Sequence, residues 1–179
     1  MLVGLTGYAG SGKNAAAEGL VASGWSQLSF AEPIRQMLLV LNPIIHAGVH
    51  LQTFIDDQGW DETKYSYPEV RRLMQVLGTE VGRDMIDDDL WVKLAKKTMD
   101  DCFHLGKNVV FTDVRFPNEV EMIRFNGGKI IRIHREGTKP AQNHVSDTNV
   151  DLLPVDREII NSGTVEDLQN ALKSILGIA

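Results

Sequence analysis

The segment Gly7-Tyr8-Ala9-Gly10-Ser11-Gly12-Lys13-Asn14 constrains this chain more than any other. An apolar run, Leu2–Thr6, precedes it and an alanine-rich run, residues 15–21, follows. Strand, glycine-rich turn and helix, in that order, is the setting in which G-x-x-x-x-G-K forms a phosphate-binding loop. Glycines let the backbone curl so that successive N–H groups converge on one anion. The helix N-terminus adds partial positive charge and Lys13 a full one. The alternative is a glycine-rich turn with no ligand; flanks and spacing together favour the loop. The expected ligand is a nucleoside triphosphate, held by Gly7, Ala9, Gly10, Ser11, Gly12, Lys13, Asn14 and Ala15.

One letter departs from the motif. The residue after the lysine is usually Ser or Thr, whose hydroxyl ligates Mg²⁺. Here it is Asn14. A carboxamide oxygen is a hard ligand, able to meet Mg²⁺ directly or through water, but it is longer than a hydroxyl. Phosphate binding is unaffected; direct metal ligation by Asn14 stays open.

A length of 179 residues suffices for one domain with a full core. The net charge of −6 argues against a broad nucleic-acid surface but not against a local cluster of arginines. A single cysteine, Cys102, excludes an intrachain disulfide and suits a reducing cytosol. No apolar run approaches roughly 18 residues, so no membrane span is expected. A cleaved leader is not expected either, because its removal would take the phosphate loop with it.

Residues 2–6 read as a buried strand and 12–23 as a helix. Residues 26–30 read as a second strand and 31–41 as a helix with Pro33 in its first turn. Residues 42–67 read as an irregular, aromatic-bearing insertion. Val70, Leu73, Met74 and Leu77 then share one helical face. Residues 87–103 read as a helix, 108–112 as a strand, 118–126 as a helix and 129–133 as a strand. Residues 137–154 are polar and turn-rich, which suggests a loop or lid. His144 lies there, read as a solvated loop residue rather than a phosphate ligand. A short strand at 159–160 and a helix over 164–176, capped at Thr164, complete the chain. Strands alternating with helices, with no tight hairpin signal, predict an α/β fold with a parallel sheet. Ligands of such sheets bind at the carboxyl ends of the strands.

Asp113 ends the apolar strand Asn108-Val-Val-Phe-Thr112, at the same sheet edge as the phosphate loop. An aspartate there commonly holds Mg²⁺, often through water. It equally suits capping the next helix or pairing with Arg115. Arg115, two residues on, is a candidate to grip the phosphate of an acceptor with two N–H groups, or to pair with Asp113 or Glu119. Phosphoryl transfer between nucleotides needs positive charge from several directions. Nine arginines are present, and Arg35, Arg71, Arg72, Arg83, Arg115, Arg132 and Arg135 fall in segments expected to face a ligand. No Ser/His/Asp, Cys/His or zinc spacing is evident.

The chain resembles the phage-type deoxynucleoside monophosphate kinases, a branch of the P-loop nucleoside monophosphate kinase fold. The resemblance rests on residues 5–14, Ser29-Phe-Ala-Glu-Pro-Ile-Arg35, Arg71-Arg-Leu-Met-Gln-Val-Leu-Gly-Thr-Glu-Val-Gly-Arg83, Asp89-Leu-Trp-Val92, Thr112-Asp-Val-Arg-Phe-Pro-Asn-Glu119, Gly127-Gly-Lys-Ile-Ile-Arg-Ile133 and residues 160–168. D-V-R-F-P-N-E and L-G-T-E-x-G-R are the specific blocks. The resemblance implies a three-layer P-loop NTPase fold with a parallel central sheet, a helical insertion that binds the monophosphate, and a small lid. It implies one domain: a core over about 1–34 and 104–179, the insertion over about 35–103, and the lid over about 135–154.

The resemblance also implies ATP as donor, Mg²⁺ as cofactor and a deoxynucleoside monophosphate as acceptor. Lys13, Asp113, Arg115 and Arg135 would then be catalytic, with Asn161 and Thr164 near the donor base. Phe30, Arg35, Arg71, Arg72, Gln75, Arg83, Asp113 and Arg115 would bind the acceptor, and Asn14 and Asp113 the metal, directly or through water. It further implies a phage gene acting in a host cytoplasm. The expected partners are small nucleotides, with no nucleic acid and no membrane; a homodimer is left open. The competing readings are another small P-loop kinase, such as a dephospho-coenzyme A kinase, and a nucleotide-dependent switch.

Overall fold

The computed structural model describes residues 1–139 and 149–178. By its contacts the chain divides into two compact units, Met1–Phe30 with Ala95–Ala179, and Ala31–Leu94.

The first unit is built on five parallel strands: β1 (Leu2–Thr6), β2 (Ser26–Leu28), β5 (Val109–Phe111), β6 (Lys129–His134) and β7 (Arg157–Ile160). Their spatial order is β2-β5-β1-β6-β7, so the first strand is central. Every residue of β1 and β5 is buried, as continuous apolar runs in a sheet covered on both faces require. Val3, Leu5, Val110, Ile131 and Ile133 pack against Ala16, Ala17 and Leu20 of α1 (Lys13–Val21) and Leu168, Leu172 and Leu176 of α7 (Val165–Leu176). On the other face Gly4 lies under α6 (Pro117–Phe125), where an added Cβ would sit 2.6 Å from Ile123. Helices therefore cover both faces, the three-layer arrangement expected of the sequence.

The second unit is helical. It holds α2 (Glu32–Leu41), α3 (Leu51–Ser66), α4 (Pro68–Gln75), a π-helical segment over Val76–Ile86, and the start of α5 (Leu90–His104). Leu38, Leu51 and Val70 form its core, with Ile45, Ile55, Trp60, Tyr67, Leu73, Met74 and Leu77 packed around them.

Two readings of 42–67 need correction. The stretch is not irregular: most of it is α3, bent at Gly59 (φ 78°) and braced by Thr63, whose hydroxyl donates to the Phe54 carbonyl at 3.1 Å. A tight hairpin is also present, between β3 (Ile44–His46) and β4 (Val49–His50). Its two turn residues, Ala47 and Gly48, both have positive φ, 48° and 79°. That is the two-residue turn that matches strand twist. Alanine rarely adopts it, so the usual Asn-Gly signature was missing.

The expected strand at 159–160 starts earlier, at Arg157, and the helix capped by Thr164 is α7. His144, with residues 140–148 of the expected lid, lies outside the described residues.

Candidate functional site

The phosphate loop leaves β1 at the carboxyl edge of the sheet. Gly7, at φ 138°, passes so close to β6 that a Cβ would sit 2.2 Å from the Ile133 carbonyl oxygen. Gly12, at φ 104°, is the left-handed N-cap of α1, and no side chain caps that helix. A Cβ on Gly12 would meet the Asn161 amide at 2.7 Å. Both glycines are required by these close approaches and by their positive φ. The first-turn N–H groups of a helix have no partner within the helix, so this end is built to receive an anion.

Lys13 curls back over the loop. Its ammonium donates to the carbonyls of Gly7 at 2.6 Å and Tyr8 at 2.7 Å. The Tyr8 carbonyl also accepts the Ser11 N–H at 3.2 Å. Asn161, just past β7, donates its side-chain amide to the Ser11 carbonyl at 2.9 Å. The Thr6 and Ser11 hydroxyls are buried here with no hydrogen-bond partner among the described residues. Asn14 and Ala9 are exposed; Ala15 is half-buried and its carbonyl accepts the Gln169 amide at 2.8 Å.

Asp113 follows β5, beside the end of β2. Its carboxylate accepts the Ser29 hydroxyl at 2.6 Å and the Phe30 N–H at 2.9 Å. These bonds orient the carboxylate at the carboxyl edge of the sheet. The turn after it is shaped by Glu119, a buried residue that the sequence reading assigned only as a partner for Arg115. Its carboxylate takes the backbone N–H groups of Arg115 at 2.6 Å and Phe116 at 3.1 Å. Pro117 at the first helical position with Glu119 two residues on was the available signal, since a glutamate there can reach back to the N-cap N–H.

Several residues have posts the sequence did not foresee. Phe30 is buried, its ring stacked on Phe111 with centroids 4.5 Å apart. Thr164, by contrast, caps α7 as the sequence suggests, accepting the Asp167 N–H at 3.1 Å while Asp167 accepts the Thr164 N–H at 2.9 Å and the Thr164 hydroxyl at 2.8 Å. The Thr164 N–H, and after it the Thr164 hydroxyl, donate to the Asp167 carboxylate and hold it below the usual carboxylate range. Arg132 is a strut within β6: it pairs with Glu158 at 2.6 Å and donates to the carbonyls of Val150, Asp151 and Leu153. Arg135 is exposed just past β6, and its carbonyl accepts from Thr138 at 2.6 Å.

In the second unit, Arg35 on α2 lies 3.7 Å from Glu32, and its guanidinium stands 5.9 Å from the centroid of the Trp60 ring. Its Nε is buried without a hydrogen-bond partner among the described residues. Arg72 pairs with Glu69 at 2.7 Å and is exposed, whereas Arg71 and Gln75 are half-buried on α4. Arg83 is buried and donates to the Asp88 carbonyl at 2.8 Å. The glycines of L-G-T-E-x-G-R make a slot for an indole: Trp91 donates to the Gly78 carbonyl at 2.6 Å. A Cβ on Gly82 would lie 2.2 Å from the same ring.

The family model for deoxynucleotide monophosphate kinase matches residues 46–172, most of the chain and the whole of both specific sequence blocks. A putative deoxynucleotide monophosphate kinase of Acanthamoeba polyphaga mimivirus is 30% identical over 97% of this chain and 95% of its own length. The chain belongs to the deoxynucleotide monophosphate kinase family. The deoxynucleotide monophosphate kinases of Escherichia phage RB69 and Enterobacteria phage T4 are 35% and 32% identical over 60% and 61% of this chain. The matched regions span only 44% and 46% of those two phage proteins.

Among solved structures, a sugar kinase from Janibacter superposes with a TM-score of 0.54 at 15% identity, over 99% of this chain and 95% of its own. The dephospho-CoA kinase from Campylobacter jejuni gives 0.52 at 14%, over 98% and 95%. Those two support the P-loop kinase fold. No described helix is long and apolar enough to cross a membrane.

Proposed function

We propose that this chain transfers the terminal phosphoryl group of ATP to a deoxynucleoside monophosphate, yielding a deoxynucleoside diphosphate and ADP. The carrying observation is the phosphate loop: an uncapped helix N-terminus after three positive-φ glycines, with Lys13 folded over it. A phosphate oxygen of the acceptor attacks the terminal phosphorus, and the bond from that phosphorus to the bridging oxygen breaks. The attacking oxygen is already anionic, so no general base is needed. The work left to the protein is alignment and charge stabilisation.

Lys13 and the loop amides bind the donor phosphates, with Gly7, Ala9, Gly10, Ser11, Gly12, Asn14 and Ala15 forming the cradle. Mg²⁺, when bound, neutralises charge on the donor phosphates. Asp113 fits that ion because its carboxylate supplies the hard oxygen donors that Mg²⁺ takes and is oriented by Ser29 and Phe30. Asn14, exposed on the first turn of α1, is the second candidate ligand. Among the described residues there is no cluster of three or more His, Cys, Asp or Glu that would build a dedicated metal cage. A magnesium ion shared between a carboxylate and substrate phosphates needs none.

Arg115 and Arg135 serve the transferring group. Arg35, Arg71, Arg72, Gln75 and Arg83 in the helical unit serve the acceptor. Arg35 is the strongest of these, because its buried Nε has no acceptor among the described residues. The test is a substrate panel with ATP and Mg²⁺, reading ADP release across the deoxynucleoside monophosphates, their ribose counterparts and dephospho-coenzyme A. ADP release dependent on a deoxynucleoside monophosphate supports the reading. Release with none of them overturns it.

A further inference from the structure

The phosphate loop is held from below by Gly7 against Ile133 and by Asn161 on the Ser11 carbonyl. Its outer rim, Tyr8-Ala9-Gly10, is partly to fully exposed and is tied to the rest of the loop through the Tyr8 carbonyl, which accepts from Lys13 and Ser11. A second tie reaches the rim from outside the loop. The Tyr8 hydroxyl donates to the carboxylate of Asp151, 143 residues away in sequence.

Asp151 is itself firmly placed. It lies in a short turn of helix, Asn149–Leu152, whose neighbours Val150 and Leu153 are buried. Arg132 gathers the carbonyls of Val150, Asp151 and Leu153 at 3.1, 3.3 and 2.8 Å. Arg132 is in turn fixed by Glu158, its register neighbour on β7. The chain of contacts thus runs from the sheet, through Arg132, to Asp151, to the Tyr8 ring.

What the Tyr8 ring holds in place is the Tyr8 carbonyl, and that oxygen seats two elements of the cradle at once. It accepts the Lys13 ammonium at 2.7 Å and the Ser11 N–H at 3.2 Å. We infer that Tyr8 and Asp151 are positioning residues for the donor triphosphate, fixing the carbonyl on which Lys13 is parked and from which it swings to the phosphates. The inference deepens the proposed function and rests on it for the identity of the donor. The hydrogen bond to Asp151 also pushes the Tyr8 phenol up to about 12, so the donor proton stays in place throughout the physiological range.

The experiment compares full-length Tyr8→Phe, Asp151→Ala, Asp151→Asn and the Tyr8→Phe/Asp151→Ala pair. Binding of a non-hydrolysable ATP analogue is measured by calorimetry beside steady-state kinetics. Each single variant is expected to weaken analogue binding and raise the KM for ATP by about three- to tenfold, the worth of one hydrogen bond. The acceptor KM and kcat should stay within about twofold. The double variant should be no worse than either single one, and Asp151→Asn, which keeps an acceptor oxygen, should recover part of the loss.

Unchanged ATP affinity in folded Tyr8→Phe overturns the inference. So does a loss in Tyr8→Phe that Asp151→Ala fails to reproduce, since the hydroxyl would then act on its own. Parallel loss of both KM values and of melting temperature would mean general structural damage and also overturn it. Because analogue binding needs no acceptor, its weakening in both variants would uphold the inference even if the substrate panel refuted the acceptor assignment.

Discussion

The side-chain amide of Asn161 donates to the main-chain carbonyl of Ser11 at 2.9 Å, tying the end of the edge strand β7 to the phosphate loop two strands away. The same amide fills the space that a Cβ on Gly12 would need. Asn161→Ala should therefore loosen the loop, at a cost of about 1 kcal/mol in stability and several-fold in ATP affinity. Thermal denaturation with and without ATP checks this. Full ATP affinity in the variant would return Asn161 to a role beyond the loop.

Gly82→Ala tests the indole slot. An added methyl group would press on Trp91, and overpacking of that kind costs about 1–3 kcal/mol. Trp91→Leu in the same chain should relieve part of the penalty, giving a favourable coupling in a double-mutant cycle. Additive losses would mean that Gly82 is needed for another reason.

Asp113→Asn separates two roles. Asparagine can still accept the Phe30 N–H through its oxygen while its amide faces Ser29, whose hydroxyl can turn to accept. The melting temperature should shift by only a few degrees. Without the negative charge, kcat should fall by about 10²–10³ and the Mg²⁺ requirement should rise. Normal kcat at low Mg²⁺ would restrict Asp113 to holding β2 against β5.

Tyr8 provides a pH test. Its phenol is pushed from 10.0 to about 12, first by the hydrogen bond to Asp151, then by burial and by the charge of Asp151, with Arg132 opposing. The folded-state value lies above the unfolded one. The stabilising contribution is therefore complete below pH 10 and is lost as pH rises through about 12. A tyrosinate absorbance titration of the wild type minus Tyr8→Phe should show one group ionising near the upper value. A difference curve with an ordinary phenol midpoint would deny the bond.

The parts of the fold legible in the sequence were those where local signals agree. Leu2–Thr6 is a continuous apolar strand, Gly7 and Gly12 punctuate it, and Asn108–Thr112 repeats the pattern beside it. The 42–67 region was misread because its signals conflict. Gly59 breaks the helical period in the middle of α3, and Ala47 stands where a turn of that kind usually has asparagine. The π-helical stretch Val76–Ile86 was also invisible, since its spacing differs from the 3.6-residue period used to find helices.

At the site, residues marked by motif were found, while those marked only by tertiary contact were not. Glu119 was considered solely as an ion-pair partner, yet it shapes the turn through main-chain amides. Arg132 carries the same charge as Arg115, and no sequence pattern distinguishes a strut from a phosphate ligand. The partnership of Tyr8 with Asp151 spans 143 positions, and neither residue belongs to an invariant letter of the phosphate-loop motif.

The most direct test follows the phosphorus itself. Wild type and Lys13→Ala are incubated with γ-labelled ATP, Mg²⁺ and each deoxynucleoside monophosphate in turn. The account predicts label in a deoxynucleoside diphosphate with the wild type, and a loss of several orders of magnitude in Lys13→Ala with the fold intact. Label recovered only as inorganic phosphate, at a rate indifferent to the monophosphate, would contradict it.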